Sequence, residues 1–120
     1  MALIVDLNKT LIRDNVPIQK TIDYVNTSHE SVYIVSGSHI SKRFDIERVL
    51  HYIGVRYDGL FLNPREYGDN EFKQSIAKML YPGISLAIDN SRKARAKYEA
   101  LGIKTIHPDD LPDMNKFWTI

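Results

Sequence analysis

The stretch Ala2-Leu3-Ile4-Val5-Asp6-Leu7-Asn8-Lys9-Thr10-Leu11 decides the reading of this chain. Four apolar residues run without interruption into an aspartate, and a hydroxyl residue comes four positions later. Strands covered on both faces carry such continuous apolar runs, whereas strands with one wet face alternate. Asp6 then stands at the carboxyl end of a strand, where open parallel sheets place their ligand crevice. A carboxylate there reads as a metal ligand, as a nucleophile or as a helix cap.

Outward from this strand the same pattern recurs with helical segments between. Pro17 to about Asn26 reads as a helix with Ile18, Ile22 and Val25 on one face, after a loop at 12–16. Ser31–Val35 is a second buried strand, ended by a turn at Ser36-Gly37-Ser38. A helix from Ile40 to about Ile53 comes next, with Phe44, Ile46, Val49, Leu50 and Ile53 as its apolar positions and Gly54 as its stop. Residues 55–62 hold a third strand interrupted by Asp58-Gly59. The segment 63–69 reads as loop from its Pro and Gly content. A helix over Asn70–Leu80 carries Phe72, Ile76, Met79 and Leu80 on one side and Lys73 near its start. Ile84–Ile88 is a fourth strand running into Asp89-Asn90. A last helix, capped by Asn90 or Ser91, extends to Leu101 before Gly102. Ile103–Ile106 closes the set, and the tail with Pro108, Pro112 and Trp118 reads as irregular. Strand alternating with helix predicts parallel strands joined by right-handed crossovers in a three-layer α/β/α sandwich. We therefore expect one domain over 1–120, with a five-stranded parallel sheet in the order 3-2-1-4-5.

Composition narrows the function classes. The 120 residues are 43% hydrophobic, enough for a single core. Sixteen Lys and Arg nearly balance fifteen Asp and Glu, so no strong basic field calls for nucleic acid and none excludes it. Without cysteine there are neither disulfides nor thiolate metal sites. The start has no basic n-region, and no apolar run is long enough to span a bilayer, which predicts a cytoplasmic chain with no membrane partner.

Because parallel strands end on one rim, the residues just after them are neighbours in space. These are Asp6, Asn8 and Thr10, then Ser36 and Ser38, then Asp89 and Asn90, with Lys73 entering from the preceding helix. Two aspartates meeting across a rim repel each other unless a cation lies between them. Magnesium, held by one or two carboxylates, carbonyls and waters, suits such a set. A serine hydroxyl, its flanking N–H groups and a lysine supply donors for a tetrahedral oxyanion. One aspartate is then free to attack phosphorus.

In these residues the chain resembles the haloacid dehalogenase-like (HAD) phosphohydrolase superfamily. That family's Asp-x-Asp-x-Thr after an apolar strand is matched by Asp6-Leu7-Asn8-Lys9-Thr10 with one departure. Its strand ending in Ser or Thr is matched by Tyr33-Ile34-Val35-Ser36. Lys73 is the candidate for its lysine, and Leu86-Ala87-Ile88-Asp89-Asn90 matches the first member of its terminal acidic pair. The resemblance implies that Asp6 is the nucleophile and a magnesium ligand, and that Asn8 gives its backbone carbonyl to the metal. It further implies that Ser36 and Lys73 hold the phosphoryl oxygens, that Asp89 and Asn90 serve the metal, and that Thr10 steadies the loop.

The position of Asn8 carries, in that family, the aspartic acid that protonates the leaving group. Asn exchanges no proton near neutral pH, whereas general acid–base help is worth roughly 10²–10⁴-fold in rate. Three readings are open: an engineered trap, a naturally slow or non-catalytic relative, or substrates with leaving groups good enough to dispense with the acid. Neither interval that holds a cap domain in the family has room for one here. An open crevice implies a large phosphorylated substrate or a partner subunit, in a monomer or small homo-oligomer. Val35-Ser36-Gly37-Ser38, the loop Arg65-Glu66-Tyr67-Gly68-Asp69 and Leu86–Asn90 are similar to the 3′-phosphatase domain of bacteriophage-type polynucleotide kinases. This similarity implies a 3′-phosphorylated nucleic acid or nucleotide as substrate, held by Ser36, Gly37, Ser38, Arg65 and Lys73, with Arg65 reaching a phosphate or bracing Asp69. Ser38 and Ser91 stand where that group tends to have arginine.

The Gly-x-x-x-x-Gly-Lys loop of a kinase is absent. The cluster Arg92, Lys93, Arg95 and Lys97 reads as a solvated helix face, with backbone contact to nucleic acid as the alternative. His39 reads as a loop histidine. Tyr24, Tyr33, Tyr52, Tyr57, Phe61 and Phe72 read as core, and Tyr67 is the aromatic placed for base stacking. A receiver domain of similar length would carry its phosphorylated aspartate after strand three, where this chain has Leu62-Asn63-Pro64. The remaining rival is a phosphate-binding relative without turnover.

Overall fold

A computed structural model of the protein describes residues 1–117; Trp118, assigned to the tail above, lies outside them. Seven strands and four helices occur in the order β1 (Ala2–Val5), β2 (Ile12–Arg13), β3 (Val16–Pro17), α1 (Gln19–Thr27), β4 (Ser31–His39), α2 (Arg43–Ile53), β5 (Gly59–Asn63), α3 (Asp69–Leu80), β6 (Ile84–Ile88), α4 (Arg92–Glu99) and β7 (Thr105–Ile106). Single 3₁₀ turns stand at Ile40–Lys42, Pro108–Asp110 and Met114–Phe117.

Five strands form one parallel sheet in the order β5-β4-β1-β6-β7. This differs from the expected 3-2-1-4-5 by two additional strands, β2 and β3, in a segment whose sequence reads as loop and helix start. They pair antiparallel as a hairpin of their own, Ile12 opposite Pro17 and Arg13 opposite Val16. Asp14 and Asn15 at its tip have φ of 50° and 63°. Two consecutive positive φ angles define the tight hairpin turn whose twist matches that of its strands, and Asp and Asn tolerate that region. Pro17 therefore ends an edge strand of this hairpin rather than opening a helix.

The alternation of the central strands creates two cores. Leu3, Val5, Val32, Ile34 and Ile88 face Ile22 and Val25 of α1 and Ile46 and Leu50 of α2. Ile4, Val35 and Ala87 face Phe72, Ile76 and Ala77 of α3 and Ala94 and Tyr98 of α4. β1 lies between the two layers with all four residues buried, as a run without polar interruption requires.

Helix ends agree with their caps. Gly54, at φ 74°, stops α2, and the Ser91 hydroxyl accepts from the Ala94 N–H (3.2 Å) at the start of α4. Three expectations are corrected. β4 continues through Ser36-Gly37-Ser38 to His39 with an irregular register between Ser36 and His39, in place of a turn. Phe44, Tyr52 and Met79, expected in the core, are exposed. Leu111, in the segment read as irregular tail, is buried in the first core. Among the described residues no helix is long and apolar enough to cross a membrane.

Candidate functional site

The register of the sheet brings the expected residues to one rim. Val5 of β1 is level with Ile34 of β4 and with Ile88 of β6, so Asp6, Ser36 and Asp89 emerge side by side. The Asp6 N–H still donates to the Ile88 carbonyl (2.9 Å), which holds the first residue beyond the strand against its neighbour.

Beyond Asp6 the chain coils tightly. The N–H groups of Thr10, Leu11 and Ile12 all point at the Leu7 carbonyl, and Lys9, at φ 62°, donates to the Ile12 carbonyl (2.7 Å). This coil returns the fully buried Thr10 hydroxyl to Asp6, donating to Oδ2 at 3.1 Å. The same hydroxyl oxygen accepts from the Asn90 N–H at 3.2 Å, so Thr10 ties the loop after β1 to the loop after β6.

Lys73, one turn into α3, sets its Nζ 3.1 Å from Asp6 Oδ1 and 2.8 Å from Asp89 Oδ2. All three side chains are at most 7% exposed. Asp89 Oδ1 accepts from the Ser91 N–H (2.9 Å), which fixes the carboxylate's rotation. Burial and then the charge of Asp89 push the Asp6 carboxyl up to about 6, although Lys73 pulls it back. Burial alone would lower the lysine, but Asp6 and Asp89 outweigh it and hold the ammonium above its ordinary value. Tyr98, beneath this group, has its hydroxyl buried without a partner, and burial together with the two aspartates raises it as well.

Asn90 faces Asp6 and the backbone of Asn8. With Nδ2 turned inward it donates to the Asn8 carbonyl (3.1 Å) and to Asp6 Oδ2 (2.9 Å). On the other side, the Ser36 hydroxyl accepts from the Ser38 N–H and donates to the Ser38 Oγ, both at 3.1 Å. Between them Gly37 lies against α3. A Cβ built there would stand 2.4 Å from the Asp69 carboxyl carbon, so only a glycine allows this approach. The result is an open crevice of about 340 Å³ lined by Asp6, Asn8, Ser36, Gly37, Ser38, Lys73 and Asn90, with Lys9 and Asp69 added.

Asp89 lies under the rim rather than on the crevice wall. Arg65, at φ 78°, gives only its backbone N–H, to Asn63 Oδ1. It neither lines the crevice nor forms a salt bridge with Asp69, so the expected bracing is absent. Tyr67 is half exposed, with its ring 6.5 Å from that of Phe72, and is also off the crevice wall. His39 accepts the Ser41 N–H through Nδ1 and so starts the 3₁₀ turn before α2, a capping role that a reading as loop histidine does not contain. The basic cluster of α4 is divided: Arg95 donates to the Asp89 carbonyl (2.8 Å), Lys97 approaches Glu71, and Arg92 and Lys93 face solvent.

Lys9 is a crevice residue that the sequence reading omits, and Asp69 enters that reading only as a group for Arg65 to brace. Asp69 precedes Lys73 by one helical turn and so shares its face, a signal present in the sequence. Lys9 carries none, because its direction depends on the left-handed φ inside the coil.

No family model and no curated protein matches the chain. Among the solved chains that share its fold are one from the structure of the Pnkp1/Rnl/Hen1 RNA repair complex, at TM-score 0.75 and 18% identity, and one from the structure of a Pnkp1/Rnl/Hen1 complex, at TM-score 0.75 and 19% identity. Each alignment covers 88% of this chain but only 41% and 45% of those chains, so the chain spans less than half the length of the structures that share its fold.

Proposed function

We propose that residues 1–120 form a single HAD-type phosphohydrolase domain without a cap. In this reading it is a magnesium-dependent phosphatase that works through an aspartyl-phosphate and acts on a 3′-phosphorylated nucleic acid or nucleotide. One observation carries the reading: a buried lysine bridges Asp6 and Asp89 on the rim that also holds Ser36. The fold shared with chains of an RNA repair complex is consistent with a nucleic-acid substrate.

The donor set fits magnesium. Among the described residues no three His, Cys, Asp or Glu side chains gather to hold a metal ion, yet magnesium commonly takes only one or two carboxylates and keeps several waters. The inward terminal atom of Asn90 lies 2.9 Å from Asp6 Oδ2 and 3.1 Å from the Asn8 carbonyl. With the amide turned over, its oxygen would stand beside Asp6 Oδ2 and the Asn8 carbonyl, a set of hard oxygen donors of the kind magnesium takes. Asp6, Asn8 and Asn90 on the crevice wall would hold the ion, with Asp89, the fourth residue of the expected set, behind them beside Lys73, and the ion would neutralise charge on the phosphoryl oxygens.

The chain's own groups do the rest. Ser36 and Lys73 hold the phosphoryl oxygens, and Lys73 offsets the charge of the nucleophile. An Asp6 oxygen bonds to phosphorus while the bond from phosphorus to the leaving oxygen breaks. That oxygen needs a proton, and Asn8 can offer it a hydrogen bond but no proton. Water then cleaves the acyl phosphate without a base at position 8. Turnover is therefore slow at both proton transfers. The same residue favours the second reading, a phosphate-binding relative without turnover. Hydrolysis of an aryl phosphate with magnesium, by this chain and by Asn8→Asp, separates the two. A rise of roughly 10²–10⁴-fold supports the phosphatase, and activity in neither supports the binding module.

A further inference from the structure

The β2–β3 hairpin forms one wall of a groove leading out of the crevice, and α2 forms the other. The inner part, about 280 Å³, begins at Asn8, which it shares with the crevice. Its floor is apolar, from Ile12, Ile46 and Val49, and its rim carries Asp14, Asp45 and Lys42. The outer part, about 510 Å³, shares Ile12, Asn15, Asp45 and Val49 with it and adds Arg48 and Tyr52. Tyr52 is 79% exposed, although the sequence reading groups it with the core aromatics.

We infer that this groove holds the last bases of a single nucleic-acid strand whose terminal phosphate lies in the crevice, an inference that rests on the phosphatase reading above. A phosphate between Ser36 and Lys73 sends its leaving oxygen past Asn8, and beyond Asn8 the groove opens. An apolar floor takes the face of a base, and carboxylates on the rim accept from the N–H groups of its edge. Lys42 meets the next phosphate. An exposed aromatic at the far end is a stacking platform of the kind that sequence-tolerant single-strand binding uses. The outer part falls within the range of small-molecule sites, about 300–1,000 Å³, and the inner part lies near its lower end.

The test is equilibrium binding, which needs no turnover. Fluorescence anisotropy of a 5′-labelled hexanucleotide is measured on the full chain with magnesium, comparing a 3′-phosphate strand, the same strand with an abasic terminal sugar 3′-phosphate, and a 3′-hydroxyl strand. Removing the terminal base should weaken binding roughly 5- to 150-fold. Tyr52→Ala, at an exposed position, should weaken the hexanucleotide several-fold and leave a 3′-phosphorylated mononucleotide unchanged. Equal affinity of the abasic and base-bearing strands overturns the groove assignment while leaving the crevice intact. So does a phosphoserine peptide that binds more tightly than the hexanucleotide. A 3′-hydroxyl strand that binds as tightly as the 3′-phosphate strand overturns the phosphatase reading and the groove with it.

Discussion

Replacing Lys73 by methionine tests the arrangement on which the site depends. The side chain nearly keeps its length and its packing but loses the ammonium that lies 3.1 Å from Asp6 and 2.8 Å from Asp89. Two buried carboxylates would then face each other without a counter-charge. Breaking a buried pair by removing one partner costs about 3–5 kcal/mol, far more than the ~0–1 kcal/mol of an exposed pair. The cost depends on pH with a definite sign. The folded-state pKa of Asp6 is already raised from 3.8 to about 6, so the folded chain binds more protons than the unfolded one between those values. Stability therefore falls as pH rises through that window. Without Lys73 the carboxyl moves higher still, and the loss continues to higher pH. Urea unfolding monitored by circular dichroism, in EDTA at pH 5 and at pH 8, should show a smaller difference between variant and parent at the lower pH, where Asp6 has taken a proton and Asp89 alone has lost its partner, and the full difference at the higher. Added magnesium should then recover part of it at pH 8, because a cation binding the folded state alone stabilises that state. A loss below about 1 kcal/mol at pH 8, or one that does not depend on pH, would show that the triad is not buried as described.

Three other substitutions probe separate parts of the site. Asn8→Asp should raise aryl phosphatase activity by roughly 10²–10⁴-fold and make it depend on a titrating acid, read from the pH–rate profile. Tyr98→Phe removes a buried hydroxyl that has no partner, and since such a group costs about 1–3 kcal/mol, the variant should unfold at equal or higher urea; a loss above about 1 kcal/mol would mean that the hydroxyl is satisfied. Gly37→Ala drives a methyl into the Asp69 carboxyl and should cost about 1–3 kcal/mol. Part of that cost should return in the double variant with Asp69→Ala, which removes the carboxyl but keeps the Asp69 Cβ that the new methyl would meet at 2.7 Å.

The parts of this site that are legible in the sequence are those that topology dictates. Once the chain alternates strand and helix, the carboxyl ends of the parallel strands come to one rim, and Asp6 and Asp89, next after β1 and β6, need no further information to meet there, while Ser36 joins them from within the longer β4. Lys73 needs only a helix whose apolar face, Phe72 and Ile76, is already turned to the sheet. Arg65 stands off the crevice wall, without the bracing of Asp69, for the opposite reason. A loop residue at φ 78° aims its side chain by local backbone conformation, which spacing does not encode. The hairpin is the instructive intermediate. Its turn signal, Asp14-Asn15 between Arg13 and Val16, stands in the sequence, but Pro17 is equally compatible with a helix start and pulls the reading that way. Read as a helix start, Pro17 hides the wall of the groove and leaves Tyr52 in a core that it does not enter. A helical position at apolar spacing is buried only if something packs on that side. Here the hairpin stands off from α2 instead of closing on it, so a core-like pattern becomes the edge of an open channel.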